Sequence, residues 1–251
     1  MAERASNRFH RPTKPVSPAS ESSAGSLVAA RGLRAGYGKS EIVRGLDLEV
    51  RPGQVVALLG PNGAGKTTTL RTLSGDLPAL GGSVLLNGSV TRAPLSRRAR
   101  SGMGFVSQER AVLMRLSVAE NFRVARCDRA LALSLFPDLA DHLTRKVGQL
   151  SGGQQQMVAL AKALARSPKV LLADELSLGL APIIVDQLLA EVRRAADRGV
   201  GVLLVEQHVR KVLAVADYVY VMRNGEIALS GSGADLRGRL NEVQEAYFRN
   251  S

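Results

Sequence analysis

The sequence predicts an α/β protein built on a parallel sheet. Short apolar segments rich in valine and leucine, which are typical of buried parallel strands, occupy residues 54–59, 169–173 and 200–205. Helical patterns separate these segments, and a glycine-rich turn joins the first of them to a helix. Strands and helices that alternate in this way form parallel sheets covered by helices.

The composition excludes several classes of protein. The chain has 251 residues, of which 45% are hydrophobic, so it can bury one substantial core with a smaller appended lobe. Aromatic residues make up only 4%, which leaves few stacking surfaces for single-stranded nucleic acid. Cys127 is the single cysteine, so an intrachain disulfide is excluded, and no Cys/His spacing resembles a zinc site. A reducing compartment is favoured.

The formal net charge of +12 is compatible with a nucleic acid or an anionic membrane face as a partner. Apart from residues 97–100 and pairs such as Arg193 and Arg194, the basic residues are scattered, so an ordinary solvated surface explains them equally well. No apolar run is long enough to cross a bilayer, and residues 1–26 lack the apolar stretch of a secretory signal.

The pattern changes at Leu27. Residues 1–25 contain three prolines and many serines, and we expect them to form a disordered basic tail. Strand-like alternation then covers residues 27–33, 42–43 and 46–50. Three short strands at this position predict an antiparallel patch packed beside the parallel sheet.

The glycine-rich turn fits the phosphate-binding pattern G-x-x-x-x-G-K-[ST], with a strand before it and a helix after it. Its glycines allow successive N–H groups to point at phosphate oxygens, and the helix N-terminus adds its positive dipole end. Lys66 is expected to reach the terminal phosphates and Thr67 to ligate magnesium. The predicted nucleoside triphosphate site comprises Gly60, Pro61, Asn62, Gly63, Ala64, Gly65, Lys66, Thr67 and Thr68.

A helical lobe is predicted in the middle of the chain. It is preceded by predicted strands at 83–86 and 103–106 and a basic helix at 95–100. Ser117 and Glu120 form a capping box at the start of one helix, and two further short helices are expected at 130–135 and 139–143, divided by Pro137. We interpret this region as a small second lobe.

The remaining elements alternate again. They are a helix at 151–165, a strand at 169–175, a helix at 182–198, a strand at 200–205, a hairpin of strands at 218–222 and 226–229, and a helix at 241–248. The strand at 169–175 ends in Asp174 and Glu175, which we expect beside the phosphates because parallel strands end at one edge. Asp174 would hold the magnesium, and Glu175 would orient or deprotonate the attacking water.

Three further side chains are candidates for the same site. Gln108 and His208 each follow a strand that is predicted to reach this edge. Gln108 could sense the γ-phosphate and the lytic water, and His208 could contact the γ-phosphate. Tyr37 lies in a glycine-flanked turn, where it either stacks on a purine ring or covers the sheet edge as an ordinary surface tyrosine.

The run Leu150-Ser151-Gly152-Gly153-Gln154 is more specific than the phosphate loop, which kinases, GTPases and helicases share. It resembles the signature motif of the ATP-binding cassette (ABC) family, and the resemblance covers almost all of residues 27–248. It implies a P-loop NTPase (RecA-like) core with an antiparallel β subdomain and a small inserted α-helical subdomain. The core would comprise residues 26–110 and 166–251, and the helical subdomain residues 111–165.

The resemblance also implies roles for individual residues. ATP and Mg²⁺ would be bound, with Thr67, Gln108 and Asp174 around the metal. In the family, the nest formed by Ser151, Gly152, Gly153 and Gln154 binds the γ-phosphate of the ATP held by a second subunit. The remaining matches are Tyr37 as the adenine-stacking aromatic, Gln108 as the Q-loop, Glu175 as the catalytic carboxylate, His208 as the switch histidine and residues 177–180 as the D-loop.

Within the family, residues 177–182, 205–208 and 243–247 look most like the ATPase subunits of branched-chain amino acid importers. Leu176 departs from that pattern, since a proline usually follows the catalytic glutamate, and we expect it to slow hydrolysis by relaxing the turn. Gln108 and Gln154 also stand where this subgroup commonly has glutamate, and the helical lobe looks shorter than usual. With these departures ATP hydrolysis is still expected, and the match to this subgroup is incomplete.

Partners follow from the same resemblance. A separate integral-membrane permease, a second ABC ATPase subunit (identical or paralogous) and, indirectly, an extracytoplasmic solute-binding protein are expected, with the chain peripheral on the cytoplasmic face of the membrane. No nucleic acid partner is expected. The alternatives are an importer for urea or short amides, a soluble ABC protein that acts on DNA or ribosomes, and a P-loop kinase, which would leave the signature run unexplained.

Overall fold

The computed structural model describes residues 25–109 and 111–248, so the predicted tail lies, apart from Gly25, outside the described residues. The described chain forms three layers. A six-stranded sheet lies in the middle, helices cover one face of it, and a four-stranded sheet together with one helix covers the other. The predicted α/β class with an antiparallel β subdomain is confirmed.

The described strands are β1 (Val28–Tyr37), β2 (Ser40–Val50), β3 (Val55–Leu59), β4 (Gly81–Leu86), β5 (Ser89–Val90), β6 (Met103–Val106), β7 (Val170–Asp174), β8 (Gly201–Glu206), β9 (Tyr218–Arg223) and β10 (Glu226–Ser232). The described α-helices are α1 (Lys66–Ser74), α2 (Leu95–Arg100), α3 (Val118–Ala125), α4 (Arg129–Leu135), α5 (Gly152–Leu164), α6 (Pro182–Asp197), α7 (Val209–Val215), α8 (Gly233–Gly238) and α9 (Leu240–Phe248). Strand β5 and helices α7 and α8 have no counterpart among the elements predicted from the sequence.

The six-stranded sheet has the order β10-β9-β3-β8-β7-β6, in which every pair is parallel except β10 with β9. All residues of β3 are buried, and successive side chains pack on opposite faces. Val55, Ala57 and Leu59 join the helical layer, whereas Val56 and Leu58 pack with α1 and the smaller sheet. Because β3 is buried on both faces, its sequence is a continuous apolar run without alternating polar residues.

The smaller sheet is antiparallel, with the order β2-β1-β4-β5. The prediction of three strands before the phosphate loop was wrong, because residues 42–43 and 46–50 belong to one strand, β2. Gly45 has a φ of +65°, and the pairing of β1 with β2 contains register shifts. Such irregularities let one strand continue through a position that interrupts the alternation of the sequence.

The helical region contains α3, α4 and α5 together with two short 3-10 helices, at Pro137–His142 and Val147–Gln149. The prediction of a helix at 139–143 was wrong in type and bounds, because this segment is a 3-10 helix that begins at Pro137, shortly after α4 ends at Leu135. Phe122 and Leu160 of the helical region are fully buried and belong to the same apolar core as residues of the central sheet. The proposed boundaries of a separate helical subdomain stay a prediction. None of the described helices is long and apolar enough to cross a bilayer.

Candidate nucleotide-binding site

Loops that follow strands of the central sheet meet around a cavity of about 600 Å³. The phosphate loop follows β3, and Gln108, Glu175 and Gln207 follow β6, β7 and β8. The predicted site residues that line the cavity are Tyr37, Asn62, Gly63, Gly65, Lys66, Thr67, Thr68, Gln108 and Glu175. The parallel strand order brings these loops together, since all four strands end at the same edge.

The phosphate loop leaves hydrogen-bond donors for an anion. Helix α1 begins after Gly65, which has a φ of +108°, and it has neither a side-chain cap nor an acidic residue in its first turn. Its first N–H groups are therefore available to phosphate oxygens. Lys66 is 4% exposed, and its Nζ donates to the carbonyl oxygens of Gly60 at 2.7 Å and Pro61 at 3.0 Å. Burial lowers the pKa of Lys66, and nearby carboxylates, Glu175 foremost, oppose that shift.

The remaining residues of the loop, Gly60, Pro61 and Ala64, are not among those that line the cavity. Gly60 lies against the neighbouring strand β9, so closely that a Cβ at this position would stand 2.3 Å from the carbonyl oxygen of Met222. Ala64 is buried, and its carbonyl accepts a hydrogen bond of 3.0 Å from the N–H of Gly225 in the β9–β10 turn. These contacts fix the loop to the sheet.

The acidic end of β7 offers a place for a divalent cation. Asp174 is 2% exposed, and its Oδ1 is a buried atom with no hydrogen-bond partner among the described residues. Burial raises the pKa of Asp174, and a hydrogen bond from the side chain of Thr67 opposes that shift. An unpartnered carboxylate oxygen beside a hydroxyl fits Mg²⁺, which takes few protein ligands and completes its shell with phosphate and water.

Glu175 has an unusual backbone conformation, with a φ of +48°. Its N–H donates to the carbonyl of Val205 at 2.9 Å, and its Oε1 accepts a hydrogen bond of 2.6 Å from Nε2 of Gln207. Exposed His208 does not line the nucleotide cavity and borders an adjoining one of about 440 Å³, which Glu175 and Tyr247 also line. The two cavities share three lining residues, Glu175, Leu178 and Gln207.

No role was predicted from the sequence for Glu206, Gln207 or Tyr247, and Ser177 was expected only as the first residue of the D-loop at 177–180. Glu206 is 1% exposed and accepts hydrogen bonds from the N–H and the hydroxyl of Ser177, at 2.9 and 2.5 Å. Burial raises the pKa of Glu206. The signal for Glu206 and Gln207 was their position after a buried strand, beside His208. No comparable signal marks Tyr247, because tertiary packing of α9 brings it to the cavity.

Tyr37 is the last residue of β1 and is 45% exposed. The guanidinium carbon of Arg71 lies 5.8 Å from the centroid of its ring, and Nη1 of Arg71 donates to the phenol oxygen at 3.3 Å. An ion pair between Nε of Arg71 and Asp76, 2.7 Å long, also holds the guanidinium. The ring is thus fixed at the rim of the cavity.

The signature residues lie apart from this cavity, at the N-terminus of α5. Oγ of Ser151 accepts from the N–H of Gln154 at 3.2 Å, and Oε1 of Gln154 accepts from the N–H of Ser151 at 3.0 Å. Nε2 of Gln154 also lies 2.8 Å from Nε2 of His142, a contact that sequence analysis missed. The hydroxyl proton of Ser151 and the N–H groups of Gly152 and Gly153 remain for an anion.

The fold and the cavity define a P-loop nucleotide-binding ATPase. Residues 43–177, more than half of the chain, match the family model described as ABC transporter. A nucleotide-free ATP-binding cassette from an ABC transporter superposes with a TM-score of 0.79 at 25% identity, over 89% of this chain and 99% of the other.

Two curated relatives differ in the transport that their names describe. The high-affinity branched-chain amino acid transport ATP-binding protein BraG of Pseudomonas aeruginosa is 38% identical over 222 residues, which cover 84% of this chain and 95% of BraG. The lipopolysaccharide export system ATP-binding protein LptB of Escherichia coli K12 is 35% identical over 222 residues, which cover 83% and 92%. The chain belongs to the ABC transporter family, and it is an ATPase.

Proposed function

We propose that this chain is the ATP-hydrolysing subunit of an importer for branched-chain amino acids, which couples closure of an ATPase dimer to transport through a separate permease. The observation that carries the ATPase part is the cavity where the phosphate loop, Gln108 and Glu175 meet. The choice of solute is supported by the 38% identity to BraG over most of both chains.

The triphosphate of ATP would lie on the phosphate loop, where the first N–H groups of α1 and the ammonium of Lys66 meet its negative charge. Tyr37 would hold the adenine at the rim of the cavity. Thr67, Gln108 and Asp174 would hold Mg²⁺, which supplies charge neutralisation at the β- and γ-phosphates. The buried, unpartnered Oδ1 of Asp174 supports this donor set.

Hydrolysis would use the three polar side chains that follow β6, β7 and β8. Glu175 takes a proton from the attacking water or aligns it, because its carboxylate reaches the cavity from the end of β7. Gln108 would align the same water from the next strand, and His208 would contact the γ-phosphate from the adjoining cavity. Opening of the dimer after hydrolysis would release the products.

A second subunit would complete the site. Residues Ser151, Gly152, Gly153 and Gln154 offer an anion-binding helix N-terminus but lie outside the cavity of their own chain. They would meet the γ-phosphate of ATP held by a second copy or a paralogue. Leu178 and Ile183 expose about half or more of their apolar side chains (49% and 68%) and would lie at the contact between the subunits.

The permease would dock on a groove of about 570 Å³ between the sheet edge and the helical region. Its walls are largely apolar, and Arg100, Lys162 and Arg166 add positive charge. An amphipathic helix with acidic groups at its ends fits this surface. The chain would then be peripheral on the cytoplasmic face of the membrane, and an extracytoplasmic solute-binding protein would act through the permease.

A second candidate is an exporter subunit, favoured by the 35% identity to LptB over nearly the same share of the chain. An importer for urea or short amides would use an ATPase of the same design. Uptake assays separate these proposals. Deletion of the gene in the native host should lower uptake of labelled leucine, isoleucine and valine, and the wild-type gene, but not Lys66→Ala, should restore it.

Unchanged uptake of all three amino acids would contradict the choice of solute. Loss of labelled urea uptake, or envelope defects without any loss of uptake, would point to the alternatives. The Lys66→Ala control separates a requirement for ATP binding from a requirement for the protein as a scaffold.

A further inference from the structure

Three consecutive residues at the end of β8 hold the segment that follows β7. The carbonyl of Val205 accepts from the N–H of Glu175 at 2.9 Å. The buried carboxylate of Glu206 accepts from both donors of Ser177. The side-chain amide of Gln207 donates to Oε1 of Glu175 at 2.6 Å. The backbone on both sides of Leu176, and the carboxylate of Glu175 itself, are therefore tied to the neighbouring strand.

Glu175 needs these contacts because its own backbone conformation does not fix the position of its carboxylate. A φ of +48° is sparsely populated by residues other than glycine and is kept only where the surroundings enforce it. The turn that follows is closed by the N–H of Leu178, which donates to the carbonyl of Glu175 at a long 3.3 Å. The glutamate side chain then has three rotatable bonds, and a carboxylate without an anchor would sample several positions in the cavity.

Gln207 is placed to remove this freedom. It lines both the nucleotide cavity and the adjoining cavity, as Glu175 does, and its amide donates to the carboxylate of Glu175. Because the amide is neutral, it can fix the carboxylate without the charge neutralisation that a lysine or arginine would bring. One carboxylate oxygen is held, and the other is left for the attacking water.

We propose that Gln207 is a positioning residue for hydrolysis, which holds the carboxylate of Glu175 in the orientation that acts on the water. This inference rests on the proposed assignment of Glu175 as the group that takes or aligns the water. Gln207 acts through Glu175, so its loss lowers the rate of the chemical step and leaves ATP binding intact.

Two variants of nearly unchanged size test the inference with the full-length purified chain. Gln207→Leu removes the amide, and Gln207→Glu keeps the shape but replaces the donor with an acceptor. In Gln207→Leu, kcat for ATP is expected to fall by about tenfold to a hundredfold, the range for a misplaced reacting group, with KM and melting temperature unchanged. In Gln207→Glu, kcat is expected to fall at least as far, and KM should rise as well because the added charge repels Glu175 and the triphosphate. Gln187→Leu, on the exposed face of α6, is the matched control and should behave like wild type.

A double-variant comparison separates positioning from a structural effect. In a Glu175→Gln background, Gln207→Leu should lower the residual turnover no further, because the two residues act as one unit. Additive losses, an equal fall in the control, or a raised KM with unchanged kcat would overturn the inference. If Gln207→Leu turns over at the wild-type rate while Glu175→Gln is inactive, only this inference fails. If Glu175→Gln is fully active, the proposed site fails with it.

Discussion

Alanine at two glycines of the phosphate loop should have very different consequences. At Gly60, a Cβ would lie 2.3 Å from the carbonyl oxygen of Met222, so the loop or the end of β9 has to move. At Gly63, which has a φ of +81°, a Cβ meets nothing within 4 Å. The substitution at Gly63 therefore costs only backbone strain, whereas the one at Gly60 also displaces the loop that we propose binds the triphosphate.

The expected magnitudes follow from these contacts. A left-handed conformation at a residue other than glycine costs about 1–2 kcal/mol, so Gly63→Ala should lower the free energy of unfolding by about that amount. Overpacking against rigid backbone adds about 1–3 kcal/mol or more, which brings Gly60→Ala to about 2–5 kcal/mol. For a chain of this size, 1 kcal/mol corresponds to about 2–4 °C in melting temperature.

Thermal melts and titration with ATP and magnesium test the contrast. Gly60→Ala should melt at least about 5 °C lower than wild type and lose measurable ATP binding. Gly63→Ala should melt only a few degrees lower and retain binding, weakened by about tenfold or less. Wild-type binding by Gly60→Ala, or a greater loss in Gly63→Ala than in Gly60→Ala, would refute the reasoning from the contact with Met222.

Three further substitutions have defined outcomes. In EDTA, Asp174→Asn should raise the melting temperature near pH 7, because burial raises the pKa of Asp174 and its ionisation therefore destabilises the folded state as pH rises. Melting scans should show that this gain in melting temperature vanishes towards about pH 4. A gain that does not change with pH would contradict this reasoning. Leu176→Pro should raise kcat for ATP, because Leu176 is the second residue of the turn that begins at Glu175, and proline at that position stiffens the turn. An unchanged kcat would contradict this expectation. Ser117→Ala removes a complete capping box and should lower the free energy of unfolding by about 1 kcal/mol in denaturant titrations, with exposed Ser134→Ala as the control.

The sequence was sufficient to predict the edge of the sheet at which the site forms. Continuous apolar runs marked β3, β7 and β8 as parallel strands, and a further strand was predicted at 103–106, which is β6. Polar residues directly after these four strands had to meet at one edge. That reasoning brought Gln108, Glu175 and the phosphate loop together without any knowledge of strand order. The cavity of about 600 Å³ contains residues from all three.

Contacts between neighbouring strands could not be predicted from the sequence. The hydrogen bond from Gln207 to Glu175 depends on β7 and β8 being adjacent and on the rotamers of two long side chains. The burial of Glu206 could not be predicted, because a carboxylate at the end of an apolar strand is expected to be exposed until the donors of Ser177 are placed beside it. The approach of Tyr247 to the second cavity depends on the packing of α9, which local patterns do not specify.

The central claim is that Glu175 drives hydrolysis in a site that two subunits complete. The most direct test is ATP turnover of the purified chain beside Glu175→Gln, with light scattering in ATP and magnesium to follow dimerisation. The account predicts that wild type hydrolyses ATP, and that the variant keeps only a small residual rate and accumulates as an ATP-bound dimer. Equal turnover by the two proteins, or a variant that binds ATP and stays monomeric while wild type dimerises, would contradict it.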